Sequence, residues 1–219
     1  MPAVVTAVRA GGDGAVGAAA AVLRSGGLVV LPTDTVYGLA ALPHLPDAVR
    51  AVFRAKGRPS GMHLPVLAAT VEQVRGLGVA FGAAASVLAD RWWPGPLTLA
   101  CAFDPGSGRP DWLAGRDEVA VRVPDHDFVR ALLRETGVLI VPSANPHGTA
   151  PSLTAEAVSA SLGPSVDLVV DGGALTEVPS TVVSLVGREP VVEREGVIRA
   201  LDIIEALGGA GPGNKGVAP

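Results

Sequence analysis

The stretch AKGRPSGMHLPVL (55–67) sets Lys56 and Arg58 among Gly57, Pro59 and Gly61, in a turn between a helix-like segment and a strand-like run. Two cations beside glycines suit phosphate oxygens, which a guanidinium fork and an ammonium both bind. The spacing is not that of a P-loop, which needs glycine, four residues and then Gly-Lys-Ser/Thr opening a helix. Here the basic pair closes a helix instead. Cations at that place also complement the negative end of the helix dipole, so the turn by itself serves either purpose.

Other polar groups gather in turns that follow strand-like runs, where functional residues of α/β proteins tend to sit. PTDTVYGL carries Thr33, Asp34, Thr35 and Tyr37, and Asp34 alone reads as a turn cap. VAVRVPDH places Arg122 inside an alternating strand on the face of Ala120, where a cation needs an anionic partner because unpaired burial is costly. VPSANPHG offers Ser143 and Asn145, and VPSTVV opens a strand with Ser180 and Thr181. Of the four histidines, His44 and His126 fall in turns rich in proline or aspartate, and His147 shares the Asn145 loop. His63, beside the basic turn, is the one kept as a candidate. No Ser-His-Asp set is apparent. Hydroxyls, an amide and cations bind and polarise phosphates and carboxylates better than they perform covalent catalysis.

The elements that must position these groups follow from the apolar pattern. The chain has 219 residues, 48% hydrophobic and 17% charged, which fits a packed globule and excludes disorder. Aromatics are only 4%, so Val, Ala and Leu must fill the core. A formal net charge of −4 gives no support for a surface that coats nucleic acid, although a local basic groove is compatible with it. The single cysteine, Cys101, lies in the apolar run LTLACAF and reads as a buried thiol. With no Cys/His cluster there is no zinc site, and no signal peptide or membrane-length run is evident. A cytoplasmic protein is expected.

Helices are predicted over AVGAAAAVLR, PDAVRAVFRAK, VEQVRGL, GAAASVLADRWW, HDFVRALLRET, LTAEAVSASL and LDIIEAL, with Thr154 as an N-cap. The second should turn Ala48, Val49, Val52 and Phe53 to one face. Strands are predicted over LVVL, LPVLA, PLTLACAF, EVAVRV, GVLIV, VDLVV, STVVSLV and PVVER. Some strands follow one another without a helix, so the sheet should be mixed and not doubly wound. One catalytic domain is expected over 1–207, with a flexible tail at 208–219.

Taken in order, PTDTVYGL, KGRP, WPGPLTL, VAVRVPDH, PSANPHG, DGG, STVV and VVEREGVI resemble the YrdC-like threonylcarbamoyl-AMP synthase family, across about residues 28–198. The resemblance is to the short form, without the extra C-terminal domain of longer members. It implies an α/β fold with a twisted mixed sheet, flanked by helices, around a large basic cavity. It also implies a nucleotidyl transfer, in which L-threonine, bicarbonate and ATP give threonylcarbamoyl-AMP and pyrophosphate. The product would pass to a threonylcarbamoyl transferase that modifies tRNA, with direct RNA contact open, and Mg2+ would accompany ATP.

Carried over residue by residue, Lys56 and Arg58 would bind nucleotide phosphates as exposed cations. Thr33, Arg122 and Ser180 would hold threonine, Arg122 through its carboxylate. Ser143 and Asn145 would contact nucleotide and developing carbamate, making a catalytic set with Lys56 and Arg58. Arg194 would lie near ATP, and Tyr37 would line the same cavity. Two departures are Met62-His63, where relatives have Asn-Pro or Lys-Pro, and Glu195, where relatives often have proline. Two other functions compete: carbamoyl-adenylate chemistry from carbamoyl phosphate, and a non-catalytic RNA-binding module.

Overall fold

A computed structural model describes residues 6–59, 62–175 and 178–208. Gly61 of the basic turn, and the expected tail apart from Gly208, lie outside the described residues. In chain order the strands are β1 (Thr6–Arg9), β2 (Val29–Leu31), β3 (Gly38–Ala40), β4 (Val66–Leu67), β5 (Leu97–Ala102), β6 (Glu118–Arg122), β7 (Leu139–Ile140), β8 (Leu168–Asp171), β9 (Thr181–Ser184) and β10 (Val191–Arg194). The helices are α1 (Ala15–Arg24), α2 (Pro46–Lys56), α3 (Val71–Arg75), α4 (Ala83–Trp92), α5 (Asp127–Thr136), α6 (Ala155–Leu162) and α7 (Ala200–Ala206).

The expected mixed pairing takes the form of two hydrogen-bonded sets of strands. One runs β1-β8-β2-β3, with β3 antiparallel to β2 and the rest parallel. The other runs β10-β9-β5-β6-β4-β7 and alternates antiparallel and parallel neighbours. Single bridges at Gly38–Ser143 and Ala41–Ile140 join the two sets. The apolar run of β2 is buried at every residue, as a strand covered on both faces must be.

Helices close the faces. Ala15, Ala19, Ala20 and Leu23 of α1 pack with Phe128, Val129, Leu132 and Leu133 of α5 against the first set of strands. A second cluster joins Leu97, Leu99, Val121 and Val183 to Val52, Leu88 and Val158. Both are built mainly from Ala, Val and Leu, in line with the scarcity of aromatics. Thr154 caps α6 by accepting from the Ala157 amide at 3.2 Å. On α2, Ala48 and Val52 are buried while Val49 and Phe53 are only partly so. The fully buried stripe continues one turn further, to Lys56.

Gly38 decides how closely the two sets of strands approach. A Cβ there would sit 2.4 Å from Val141 Cγ1. Without it, Leu39 N–H donates to the Pro142 carbonyl at 2.8 Å and Ala144 N–H to the Tyr37 carbonyl at 2.7 Å. The 142–145 loop is thereby stitched to the start of β3.

Candidate active site

Where the two sets of strands meet, a cavity of about 420 Å³ opens, in the usual size range of ligand sites. Its walls come from the β2–β3 turn, the basic turn after α2, strands β4, β5, β6, β9 and β10, and the loop after β7. Arg58, Arg122 and Arg194 line it, and among the described residues no acidic side chain does. Leu67, Ala120, Val141 and Val182 give it an apolar floor, with Thr35, Thr98, Ser143 and Ser180 as hydroxyls.

Arg122 is the most constrained of the three cations. Its Nε donates to the Gly95 carbonyl at 2.9 Å, Nη1 to the Thr35 hydroxyl at 2.8 Å and Nη2 to Asp34 Oδ1 at 2.5 Å. The Asp34 carboxylate is the anion that burial of this arginine demands, a partner the sequence reading left out. Arg58 reaches the cavity from the basic turn, donating through Nη2 to the His63 carbonyl at 3.1 Å. His63 contributes that carbonyl only; its side chain is exposed and does not line the cavity.

Beside Arg122, on the neighbouring strand β5 and at the start of β9, the Thr98 and Ser180 hydroxyls lie 2.8 Å apart. Arg194 bends over them, with Nε and Nη2 donating to the Ser180 carbonyl at 3.2 and 2.9 Å. Gly196 permits this bend, because a Cβ would fall 2.2 Å from the Pro179 carbonyl oxygen. Glu195 does not face Arg194 in an ion pair; its Oε2 accepts from the Ala200 amide at 2.8 Å, at the start of α7. That departure from the family pattern therefore leaves the arginine's access to the cavity intact.

Besides His63, four expected site residues occupy other places. Lys56 is not an exposed cation. It is only 3% accessible, and its Nζ donates to the Ser143 and Asn145 carbonyls at 2.5 and 2.6 Å. Burial, with a smaller push from Arg58, lowers its pKa to about 8. Asn145 is also buried, its Nδ2 donating to the Pro146 and Thr149 carbonyls at 3.1 and 2.7 Å, and it holds the loop behind Ser143. Its Oδ1 has no partner among the described residues.

Thr33 spends its hydroxyl inside its own turn, donating to the Val36 carbonyl at 2.7 Å and accepting from the Val36 amide at 3.2 Å. Thr35, two residues on, is the threonine that reaches the cavity. Tyr37 is 1% accessible, and its hydroxyl donates to the Gly173 carbonyl at 2.8 Å and accepts from the Gly172 amide at 3.1 Å. It pins the DGG loop and does not line the cavity. Asp34, which by itself reads as a turn cap, is instead the ion-pair partner of Arg122. Thr98 is a site hydroxyl absent from the sequence-based set, though it is the one hydroxyl in an otherwise apolar strand and shares a face with Ala100 at period two.

A sequence model of the Sua5/YciO/YrdC family, described as telomere recombination, matches residues 21–196. The chain belongs to the Sua5/YciO/YrdC family. Within this family it is 40% identical to the threonylcarbamoyl-AMP synthase of Bacillus subtilis over 90% of this chain and 57% of that protein. It is 37% identical to a putative threonylcarbamoyl-AMP synthase of Mycobacterium tuberculosis over 85% of this chain and 86% of that one. The crystal structure of Pyrococcus abyssi Sua5 complexed with L-threonine superposes with a TM-score of 0.85 and 34% identity, covering 94% of this chain and 61% of the other. The chain thus spans somewhat over half the length of some Sua5/YciO/YrdC relatives and most of others. Among the described residues, no helix is long and apolar enough to cross a membrane.

Proposed function

We propose that this chain is an L-threonylcarbamoyladenylate synthase, a cytoplasmic nucleotidyltransferase that makes threonylcarbamoyl-AMP and pyrophosphate from L-threonine, bicarbonate and ATP. A threonylcarbamoyl transferase acting on tRNA would consume the product. The observation that carries the reading is one cavity in which a locked arginine stands beside a hydroxyl pair, with two further arginines to spare. An amino acid and a triphosphate together present that set of anionic and polar groups.

In this reading the Arg122 guanidinium holds the threonine carboxylate, and Ser180 and Thr98 meet its polar groups. Arg58, Arg194 and Ser143 take the phosphates. The neutral amine of threonine attacks carbon dioxide with loss of a proton, or bicarbonate with breaking of a C–O bond and loss of water, to give a carbamate. A carbamate oxygen then bonds to the α-phosphorus of ATP as the bond to pyrophosphate breaks. Such a transfer needs alignment and charge neutralisation more than covalent help, and arginines held in place supply both. Lys56, Asn145 and Thr33 act from behind the wall, holding the loops that carry Ser143 and Thr35.

Mg2+ is expected with the phosphates by their chemistry. The lining does not fit an ion held by the protein: it offers guanidiniums and hydroxyls and no carboxylate, and no group of three His, Cys, Asp or Glu comes together among the described residues. No step is assigned to the ion.

The test is product identification by mass after incubation with ATP, L-threonine and ¹³C-bicarbonate. A labelled threonylcarbamoyl-AMP, with pyrophosphate release that needs all three substrates, is expected. Pyrophosphate release that ignores threonine would overturn the reading.

A further inference from the structure

Arg122 is a buried cation facing two other cations across one cavity. Its side chain is 7% exposed, and that of Asp34, its ion-pair partner, 13%. Unpaired, a guanidinium in such a place would turn toward solvent or repel Arg194, whose own pKa is pushed down first by burial and then by Arg122. Instead, three of its five N–H donors are anchored to two separate chain segments: Gly95 before β5, and Thr35 with Asp34 in the β2–β3 turn. One N–H on each terminal nitrogen remains for a ligand. Asp34 does not line the cavity, and its second oxygen, Oδ2, is buried without a partner among the described residues. Whatever Asp34 does for a ligand, it does through Arg122.

We propose that Asp34 is a positioning residue for the amino-acid half of the site: its carboxylate fixes the Arg122 guanidinium so that the remaining donors face the amino-acid carboxylate. The inference rests on the reading of Arg122 as the threonine holder. It adds that the selectivity of the two substrate halves is set electrostatically from behind the wall. Arg58 and Arg194 make no ion pair among the described residues and so have no carboxylate competing with phosphates, whereas Arg122 is held as half of an ion pair. Asp34 should therefore matter for the amino acid and not for the nucleotide.

The experiment measures dissociation constants for L-threonine and for ATP separately, on the wild-type chain, Asp34→Asn and Asp34→Glu, together with each thermal midpoint. Asp34→Asn keeps the shape and removes the charge; Asp34→Glu keeps the charge and moves it by one methylene, which guards against a neutral variant that fails to fold. Threonine binding weakened by about tenfold in both variants, with ATP binding within about twofold of wild type, is expected for a charge pair that acts on one ligand only. Equal loss for both ligands would make Asp34 a general scaffold residue and overturn the proposal, as would unchanged threonine binding in either folded variant. If the wild-type chain itself bound no threonine, the proposed function would fail first, an outcome separate from failure of Asp34 alone.

Discussion

The Lys56 ammonium lies 2.5 Å from the Ser143 carbonyl oxygen, across 87 residues of sequence. The same nitrogen holds the Asn145 carbonyl, and the Lys56 carbonyl accepts from the His147 amide at 2.7 Å. The end of α2 and the loop after β7 are therefore one unit, with Arg58 on one side of the join and Ser143 on the other. A residue expected to touch phosphate instead sets the distance between two that line the cavity.

Lys56→Ala should destabilise the fold. It takes the ammonium from the buried Asn145 carbonyl, leaves the Ser143 carbonyl only the Asn145 amide, and opens a hole, at a net cost of about 2 kcal/mol after relief of the lysine's own desolvation. Urea denaturation measures it. A variant as stable as wild type would show that the two carbonyls do not need the ammonium.

The lowered pKa of Lys56 gives a pH signature with opposed signs. Between about 8 in the folded chain and the ordinary 10.5 in the unfolded one, the unfolded state binds the extra proton, so this site adds stability as pH rises through that interval. The charge-assisted grip on the loop weakens over the same interval. Pyrophosphate release should fall above pH 8 without a matching loss of urea resistance arising from this residue. Parallel profiles for the two readouts would count against the clamp.

Arg58→Ala should behave differently from Lys56→Ala. Arg58 lines the cavity, and among the described residues its side chain makes one hydrogen bond, to the His63 carbonyl, so its loss should leave the thermal midpoint near wild type. Pyrophosphate release at limiting ATP should drop by about tenfold or more. Full activity at limiting ATP would remove Arg58 from the phosphate site.

Tyr37→Phe tests the reassignment of that hydroxyl. Removing it leaves the Gly172 amide and the Gly173 carbonyl without a side-chain partner, for a cost of about 1–3 kcal/mol. Affinity for both substrates should stay within about twofold of wild type once the folded fraction is matched. A selective loss of threonine affinity would return Tyr37 to the cavity wall.

Much of this architecture was legible in the sequence. Among the described residues, the seven α-helices and eight of the ten strands follow from apolar periodicity and turn residues. The two missed strands, β1 and β3, are short, and β3 begins with Gly38, which reads as a turn until its close approach to Val141 is seen. Arg122 was legible as a buried cation in need of an anion, because it interrupts an alternating strand. Its partner was not, because Asp34 lies 88 positions away and caps turns equally well. Lys56 was misread although its signal was present: positions 48, 52 and 56 form one helical stripe, and the first two are apolar. Thr33 and Thr35 cannot be told apart by type; only the path of the turn decides which hydroxyl is spent internally.

The cavity wall draws on positions from Thr35 to Arg194, and β10, which bears Arg194, sits at the far edge of its set of strands beside β9. A nascent polypeptide released as far as α6 would own the locked guanidinium but lack Ser180 and the arginine that arches over it. The cavity therefore cannot be completed on the ribosome before β10 has emerged.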